Sequence, residues 1–179
     1  MCKDVEVEPI LQPLDNEVFS LRSASTTDDA RLDIKASGFW ERGVTAFFDV
    51  RVTHVNSGSF KNKTTTDIFK SQEQEKKRKY GQRVIEVEHG QFTPLVFGTN
   101  GGIGGEGEMF LKKLAHILSR KQDESYTNMI TWLRTKLSFE ILRSVHTCIR
   151  GSRAPFKRPT YEQENTLEDC ALNIFDVGI

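Results

Sequence analysis

The chain has 179 residues, and its 25 basic and 25 acidic side chains give a formal net charge of zero. This length suits one domain, which can bury about 70% of the surface that the unfolded chain exposes. The three cysteines, at positions 2, 148 and 170, are too few and too far apart for a disulfide framework or a cysteine-rich metal site. No apolar run approaches the roughly 20 residues that a membrane helix needs.

The first third of the chain predicts extended structure. Before any helix we expect four extended segments, at about residues 5–8, 18–22, 31–36 and 44–53. Gly38 and Gly43 lie in the turn between the last two, which would therefore pair as a hairpin. A helix is then predicted from about 65 to 80, opened by a threonine at or near Thr65 and ended by Gly81.

The remainder predicts two strands and then helices. We expect strands at 83–89 and 92–99, a glycine-rich loop at 100–107, and helices at about 106–121 and 125–150. In the last helix, apolar residues recur at helical spacing from Tyr126 to Cys148. The element order predicts an α/β fold with a central mixed β-sheet flanked by helices and a helical C-terminal part.

Charge is unevenly distributed along this neutral chain. Residues 60–83 carry a net charge of +5 and residues 112–158 a net charge of +8, whereas residues 159–179 carry −5. We predict one α/β domain over residues 1–151, with its helical part at 106–151, and an acidic flexible tail over 152–179. The basic blocks suggest a polyanion partner, DNA or RNA; the alternative is that they are solvated helix faces.

Two carboxylates on neighbouring predicted strands are the main candidates for chemistry. Because side chains two apart on a strand share a face, Asp49 and Arg51 point the same way. If the hairpin forms, Asp33 lies near Asp49 with a cation beside them. Two carboxylates suit Mg²⁺, which can activate water against a phosphate. The alternative is that each carboxylate forms a structural ion pair, with Arg31 and Arg51.

These residues resemble the PD-(D/E)XK core of restriction-endonuclease-like nucleases. The resemblance implies a metal-dependent endonuclease in which Asp33 and Asp49 bind Mg²⁺, with Mn²⁺ as a substitute. Arg51 occupies the position of the family's catalytic lysine, and Leu32 replaces the motif's proline. Arginine does not give up its proton in proteins, so Arg51 would steady the scissile phosphate rather than deprotonate water.

A second resemblance covers residues 6–153. Its motifs include Glu8-Pro9-Ile10-Leu11-Gln12-Pro13-Leu14, Phe47-Phe48-Asp49-Val50-Arg51-Val52 and Glu75-Lys76-Lys77-Arg78-Lys79-Tyr80. They look like uncharacterised animal proteins that are similar to C-terminal parts of reverse-transcriptase-bearing mobile elements. This similarity implies a reverse transcriptase of the same element as a partner, no membrane, and an intracellular, nuclear location.

Several other groups were candidates for binding. The cluster Lys76, Lys77, Arg78 and Lys79 would contact nucleic-acid phosphates, or else form a solvated helix end. Glu8 or the predicted strand residues Glu86 and Glu88 could supply a third metal ligand. The glycine loop matches a dinucleotide motif, but Glu106 and Glu108 argue against phosphate there. Phe39 and Trp40 could stack bases, although packing against the core is the simpler interpretation.

The sequence thus predicts a nucleic-acid-binding domain that hydrolyses phosphodiester bonds with Mg²⁺. Two alternatives stay open. The domain could bind DNA or RNA without cutting it, as Arg51 at the lysine position suggests, or it could be a protein-interaction module of the element.

Overall fold

The computed structural model describes residues 3–12 and 31–150. In chain order the elements are β1 (Lys3–Val7), β2 (Ile34–Ser37), β3 (Thr45–Thr53), α1 (Thr65–Lys76), α2 (Gln82–Glu86), β4 (Gln91–Gly98), α3 (Gly105–Gln122) and α4 (Tyr126–Arg150). A 3-10 turn covers Gly58–Phe60. The compact unit that carries these elements ends at His146, and residues 147–150 are described only as the end of α4. The predicted strand near 18–22 and the predicted tail lie outside the described residues.

The four described strands form one mixed sheet in the order β1-β2-β3-β4. The first three strands are antiparallel, and β4 runs parallel to β3. The β2–β3 hairpin turns through Gly38 and Gly43, whose φ angles of 74° and 84° are strained for residues with a side chain. The α/β fold with a mixed β-sheet that the sequence predicted is therefore confirmed.

A single helical crossover, residues 65–86, joins the two parallel strands. It consists of α1, a π-helical segment at Lys77–Gly81, and α2, with no break between them. Thr64 caps its start, since its hydroxyl accepts a hydrogen bond from the Asp67 amide at 3.1 Å. A parallel strand pair needs such a crossover, because a tight turn cannot reverse the chain twice.

The strand predicted at 83–89 is wrong. Gly81 does not end the helix but lies inside its π-helical segment, and the helix continues to Glu86. The alternation of apolar and polar residues after Arg83 is typical of a strand. Tertiary burial favours the helix instead, because Val84 is fully buried against Phe47 and Leu32 in a helical conformation. Glu86 and Glu88 therefore do not share a strand face.

The sheet separates two apolar layers. On one face, Phe48, Leu95 and Phe97 pack with side chains of α3 and α4, including Ile141. On the other face the crossover helix covers Phe47 and Val96, through Val84, Ile68 and Phe69. Asp49 and Arg51 share the face of Phe47, because alternate residues of β3 point the same way.

The outer edge of β4 carries Pro94. The Val96 carbonyl accepts a hydrogen bond from the Gly104 amide, and the Gly98 amide donates one to the Gly102 carbonyl. The backbone N–H and C=O groups of even-numbered β4 residues therefore point away from β3. Pro94 therefore occupies an outward position, where its missing N–H costs no ladder hydrogen bond.

The two C-terminal helices begin and end within one residue of their predicted limits. In α4, Leu137, Ile141 and Val145 contact the core as the spacing predicted, whereas Tyr126 and Cys148 are exposed. No helix among the described residues combines the length and apolar character that crossing a membrane requires.

Candidate active site

Asp49 lies on the sheet face that the crossover helix covers, and the Asp33 carboxylate lies beside Val50, the next residue of β3. Asp33 immediately precedes β2, and its amide donates a hydrogen bond to the Phe48 carbonyl at 3.1 Å. Its carboxylate accepts a 2.5 Å hydrogen bond from the amide of Val50. Asp49, in β3, is only 6% exposed. The hairpin thus brings the two predicted carboxylates to the same region of the sheet.

The two carboxylates interact electrostatically. Burial raises the pKa of Asp33 above its ordinary value of 3.8, and the negative charges of Asp49 and Glu8 act in the same direction. The Val50 amide and the Lys76 ammonium oppose that rise of the pKa. A carboxyl group whose pKa is changed by burial, by another carboxylate and by a lysine is a candidate for a functional role.

Lys76 brings the cation of the site. Its Nζ lies 2.6 Å from Oδ2 of Asp49, and only 19% of the lysine side chain is exposed. That oxygen is buried and accepts no well-aligned hydrogen bond among the described residues. The lysine charge is therefore what compensates the Asp49 carboxylate.

The helix explains why Lys76 points inward. The buried side chains of α1 are Ile68, Phe69, Gln72 and Glu73, which recur at helical spacing. Lys76 follows Gln72 by four residues and so extends the same buried face. Sequence reasoning placed Lys76 in a phosphate-binding cluster and missed its position beside Asp49. The helical period of the buried residues was the signal that could have found it.

Arg51 pairs with a residue of the crossover helix. Its guanidinium forms an ion pair with Glu75 at 3.1 Å. The cation paired with Asp49 is Lys76, so the alternative of an Asp49–Arg51 ion pair does not describe this site. Arg31 lies 3.8 Å from the Glu8 carboxylate.

The donor set suits a hard divalent cation. Mg²⁺ is commonly held by one or two carboxylates, with water and substrate phosphate completing its shell, and Asp33 and Asp49 supply two. Glu8 stands at the rim, where its amide donates a 2.8 Å hydrogen bond to the Asp33 carbonyl. Within residues 3–12 and 31–150, no three metal-ligating side chains converge on one point.

The four side chains of the predicted basic cluster have different surroundings, and their contact with nucleic acid stays a prediction. Lys76 points to Asp49, and Lys77 forms an ion pair with Glu106 of α3. Lys79 lies over the Tyr80 ring, 4.7 Å from its centroid, and Arg78 is exposed. Only Arg78 and Lys79 are therefore directed to solvent without a carboxylate partner among the described residues.

The glycine loop has a structural role at the start of α3. The Glu106 amide donates a 3.0 Å hydrogen bond to the buried Glu73 carboxylate, which caps the helix from α1. A Cβ atom on Gly104 would collide with that carboxylate. Burial raises the pKa of Glu73, and Lys77 opposes the rise. A protein carboxylate thus stands where a dinucleotide phosphate would dock.

The remaining candidates also have structural partners. Phe39 is 4% exposed and stacks on Phe110, with ring centroids 4.9 Å apart. Trp40 donates from its indole Nε1 to the Thr93 hydroxyl at 2.9 Å. Glu88 accepts a hydrogen bond from the Gln12 amide. Packing, rather than base stacking, accounts for both aromatic residues.

Comparison of the chain with family models, curated proteins and solved structures finds no match. The restriction-endonuclease-like interpretation and the mobile-element resemblance therefore stay predictions.

Proposed function

We propose that the domain is a mobile-element nuclease that binds nucleic acid and hydrolyses its phosphodiester bonds with Mg²⁺. The observation that carries this proposal is the position of Lys76, whose Nζ is 2.6 Å from Asp49 and whose charge also acts on Asp33. Two acids and a lysine in one region of the sheet are the side chains that the proposed chemistry needs, although Arg51 holds the motif's lysine position.

Each side chain has a role in this proposal. Asp33 and Asp49 would hold the cation, which when bound polarises a phosphate oxygen and lowers the pKa of water. Lys76 would place its ammonium beside the scissile phosphate and stabilise the charge that develops during attack. Arg51, partly neutralised by Glu75, would contact phosphate from the rim. Water adds to phosphorus, and the bond to the departing sugar oxygen breaks.

Nicking of supercoiled plasmid with Mg²⁺ or Mn²⁺ tests the proposal. We expect Asp49→Asn and Lys76→Met each to lower the nicking rate by about 100-fold or more, since each removes charge from the reacting site. Glu124→Gln, an exposed acidic residue after α3, is the matched control and should nick like the parent. Equal rates for Asp49→Asn and the parent would reject the hydrolytic site.

One observation favours a second function, nucleic-acid binding without cleavage. In the structure Asp49 already has a charge partner in Lys76, and no lysine stands at position 51. Salt-sensitive binding of DNA or RNA, together with no nicking that depends on Asp49, would support this alternative. If the protein binds no nucleic acid, the alternative that is left is a protein-interaction module.

A further inference from the structure

Two adjoining cavities open at the turn between β2 and β3, where the turn meets α3. Their volumes are about 400 Å³ and 600 Å³, and both are lined by Gly38 and Lys113. Their basic lining residues form a group that we name the basic cradle: Arg42, Lys113, His116, Arg120 and Lys121. It lies beside α3, whereas Asp49 lies on the side of the sheet that the crossover helix covers.

Helical spacing brings the cradle residues of α3 together. Lys113, Arg120 and Lys121 are separated by seven and eight residues, which is about two turns, so they share one face of the helix. Arg42 adds a cation from the hairpin turn. The concave shape comes from the turn itself, whose glycines at 38 and 43 carry no side chain to fill the space.

The cations of the cradle have no carboxylate partner in the part of the chain that the structure describes. Within residues 3–12 and 31–150, no carboxylate forms an ion pair with Arg42, Lys113, Arg120 or Lys121. Asp4 is the acidic side chain that lines the second cavity. Four such cations around a concave surface create a positive potential that attracts a multivalent anion.

We propose that the basic cradle binds the phosphate backbone of a nucleic acid. This inference rests on the proposed function, because it names the surface that would hold the substrate of the same domain. Lys113 and Lys121 are about 12 Å apart along the helix axis. That distance spans roughly three to four steps of one nucleic-acid strand at about 3.4 Å each.

The composition of the cradle favours nucleic acid over an anionic membrane. Surface-binding helices insert exposed apolar side chains between lipids. None of the exposed large apolar side chains in the described residues lines either cavity; the apolar lining residues are Phe39, which is buried, and Trp40 and Ile117, which are half-buried. Phosphate contacts need only cations and a fitting shape.

The cradle and the acidic site lie toward opposite ends of β2. Asp33 precedes the strand and Gly38 follows it, with about 13 Å of extended chain from Asp33 to Ser37. Binding and cleavage would use separate side chains, so each can be removed without the other.

Fluorescence anisotropy with a short fluorescein-labelled DNA duplex tests the cradle. Relative to the parent, Lys113→Gln/Arg120→Gln should raise the Kd about tenfold and make the slope of log K against log salt shallower by about 2, measured between about 50 and 200 mM salt. Arg42→Gln/Lys121→Gln, two fully exposed positions, should do the same without risk to folding. The matched control Lys61→Gln/Lys63→Gln removes two exposed lysines outside the cradle and should keep the parent's slope.

Each outcome decides one proposal. An unchanged Kd and slope in both cradle variants would overturn the cradle, and so would a parent that ignores the duplex yet sediments with phosphatidylserine vesicles. Asp49→Asn should bind the duplex like the parent while losing nicking. If Asp49→Asn nicks normally but the cradle variants bind poorly, the hydrolytic site is rejected and the cradle is retained.

Discussion

Two groups of cations among the described residues have opposite electrostatic surroundings. Beneath and beside the crossover helix, Lys76 and Lys77 are held by carboxylates, those of Asp49 and Glu106. Where α3 meets the β2–β3 turn, the cradle cations line adjoining cavities and form no ion pair within residues 3–12 and 31–150. A dense basic run in the sequence was therefore partly neutralised by the fold, while cations that are dispersed in the sequence came together beside α3.

The comparison teaches that charge in a sequence and charge on a surface are different quantities. A lysine that is paired with a carboxylate of the same chain adds less positive potential for a polyanion than an unpaired lysine does. A half-buried lysine that pairs with a buried carboxylate contributes to stability, because without it the carboxylate would be a desolvated charge with no counter-ion.

The largest expected effect on stability comes from Lys76. Lys76→Met should lower the free energy of unfolding by about 3 kcal/mol, because it leaves the buried Asp49 carboxylate without its cation. Lys112→Met removes an exposed lysine 4.0 Å from Glu108 and should cost less than about 0.5 kcal/mol. Urea denaturation of both variants measures the contrast. Equal losses would show that the Asp49–Lys76 pair is no more important than a surface pair, and the double variant Asp49→Asn/Lys76→Met should recover part of the loss.

A smaller effect is expected at the glycines before α3. Gly104→Ala should destabilise the protein by about 2 kcal/mol, since the added methyl group meets the Glu73 carboxylate that caps the helix. A Cβ on the next residue, Gly105, meets nothing within 4 Å, so Gly105→Ala should be neutral or stabilising by up to about 1 kcal/mol. Thermal melts of the two variants distinguish these predictions. A neutral Gly104→Ala would mean that Glu73 can leave the helix end without loss.

The smallest effect concerns pH and Asp33. Because its folded pKa is raised, its contribution to stability is full below the unfolded pKa and is lost as pH rises through the folded pKa. Relative to Asp33→Asn, the parent should therefore become more stable as pH falls from 7, by less than about 1 kcal/mol after solvent screening. Denaturation of both proteins at several pH values checks the sign. The opposite trend would indicate that Lys76 outweighs burial at Asp33.

Part of the site was predictable because it depends on local periodicity. Asp33 and Asp49 come close because the glycine turn pairs β2 with β3 as a hairpin, as the sequence predicted. The predicted alternation over residues 31–36 is wrong, because β2 begins only at Ile34 and Leu32 packs in the opposite layer from Ile34. Lys76 was not assigned to that site, because a helix that crosses over a sheet can meet any strand below it. Whether Lys76 reaches Asp49 depends on how Ile68 and Phe69 pack on Val96.

The error at residues 81–89 has the same physical origin. Gly81 is a common helix terminator, and the residues after Arg83 alternate in polarity, so local rules favoured a strand. The parallel pairing of β3 and β4 instead placed the crossover helix over the sheet, and burial of Val84 there outweighed the local preference of one glycine.

By itself the sequence determined the hairpin with its two carboxylates, the long C-terminal helices and the uneven charge, because these depend on the spacing of neighbours along the chain. Only the tertiary structure decided that Lys76 pairs with Asp49, that Glu73 caps α3, and that the cradle cations have no carboxylate partner in the described residues. Those outcomes depend on which distant side chains share a desolvated space, and the energy of a charge is set by that space rather than by its position in the chain.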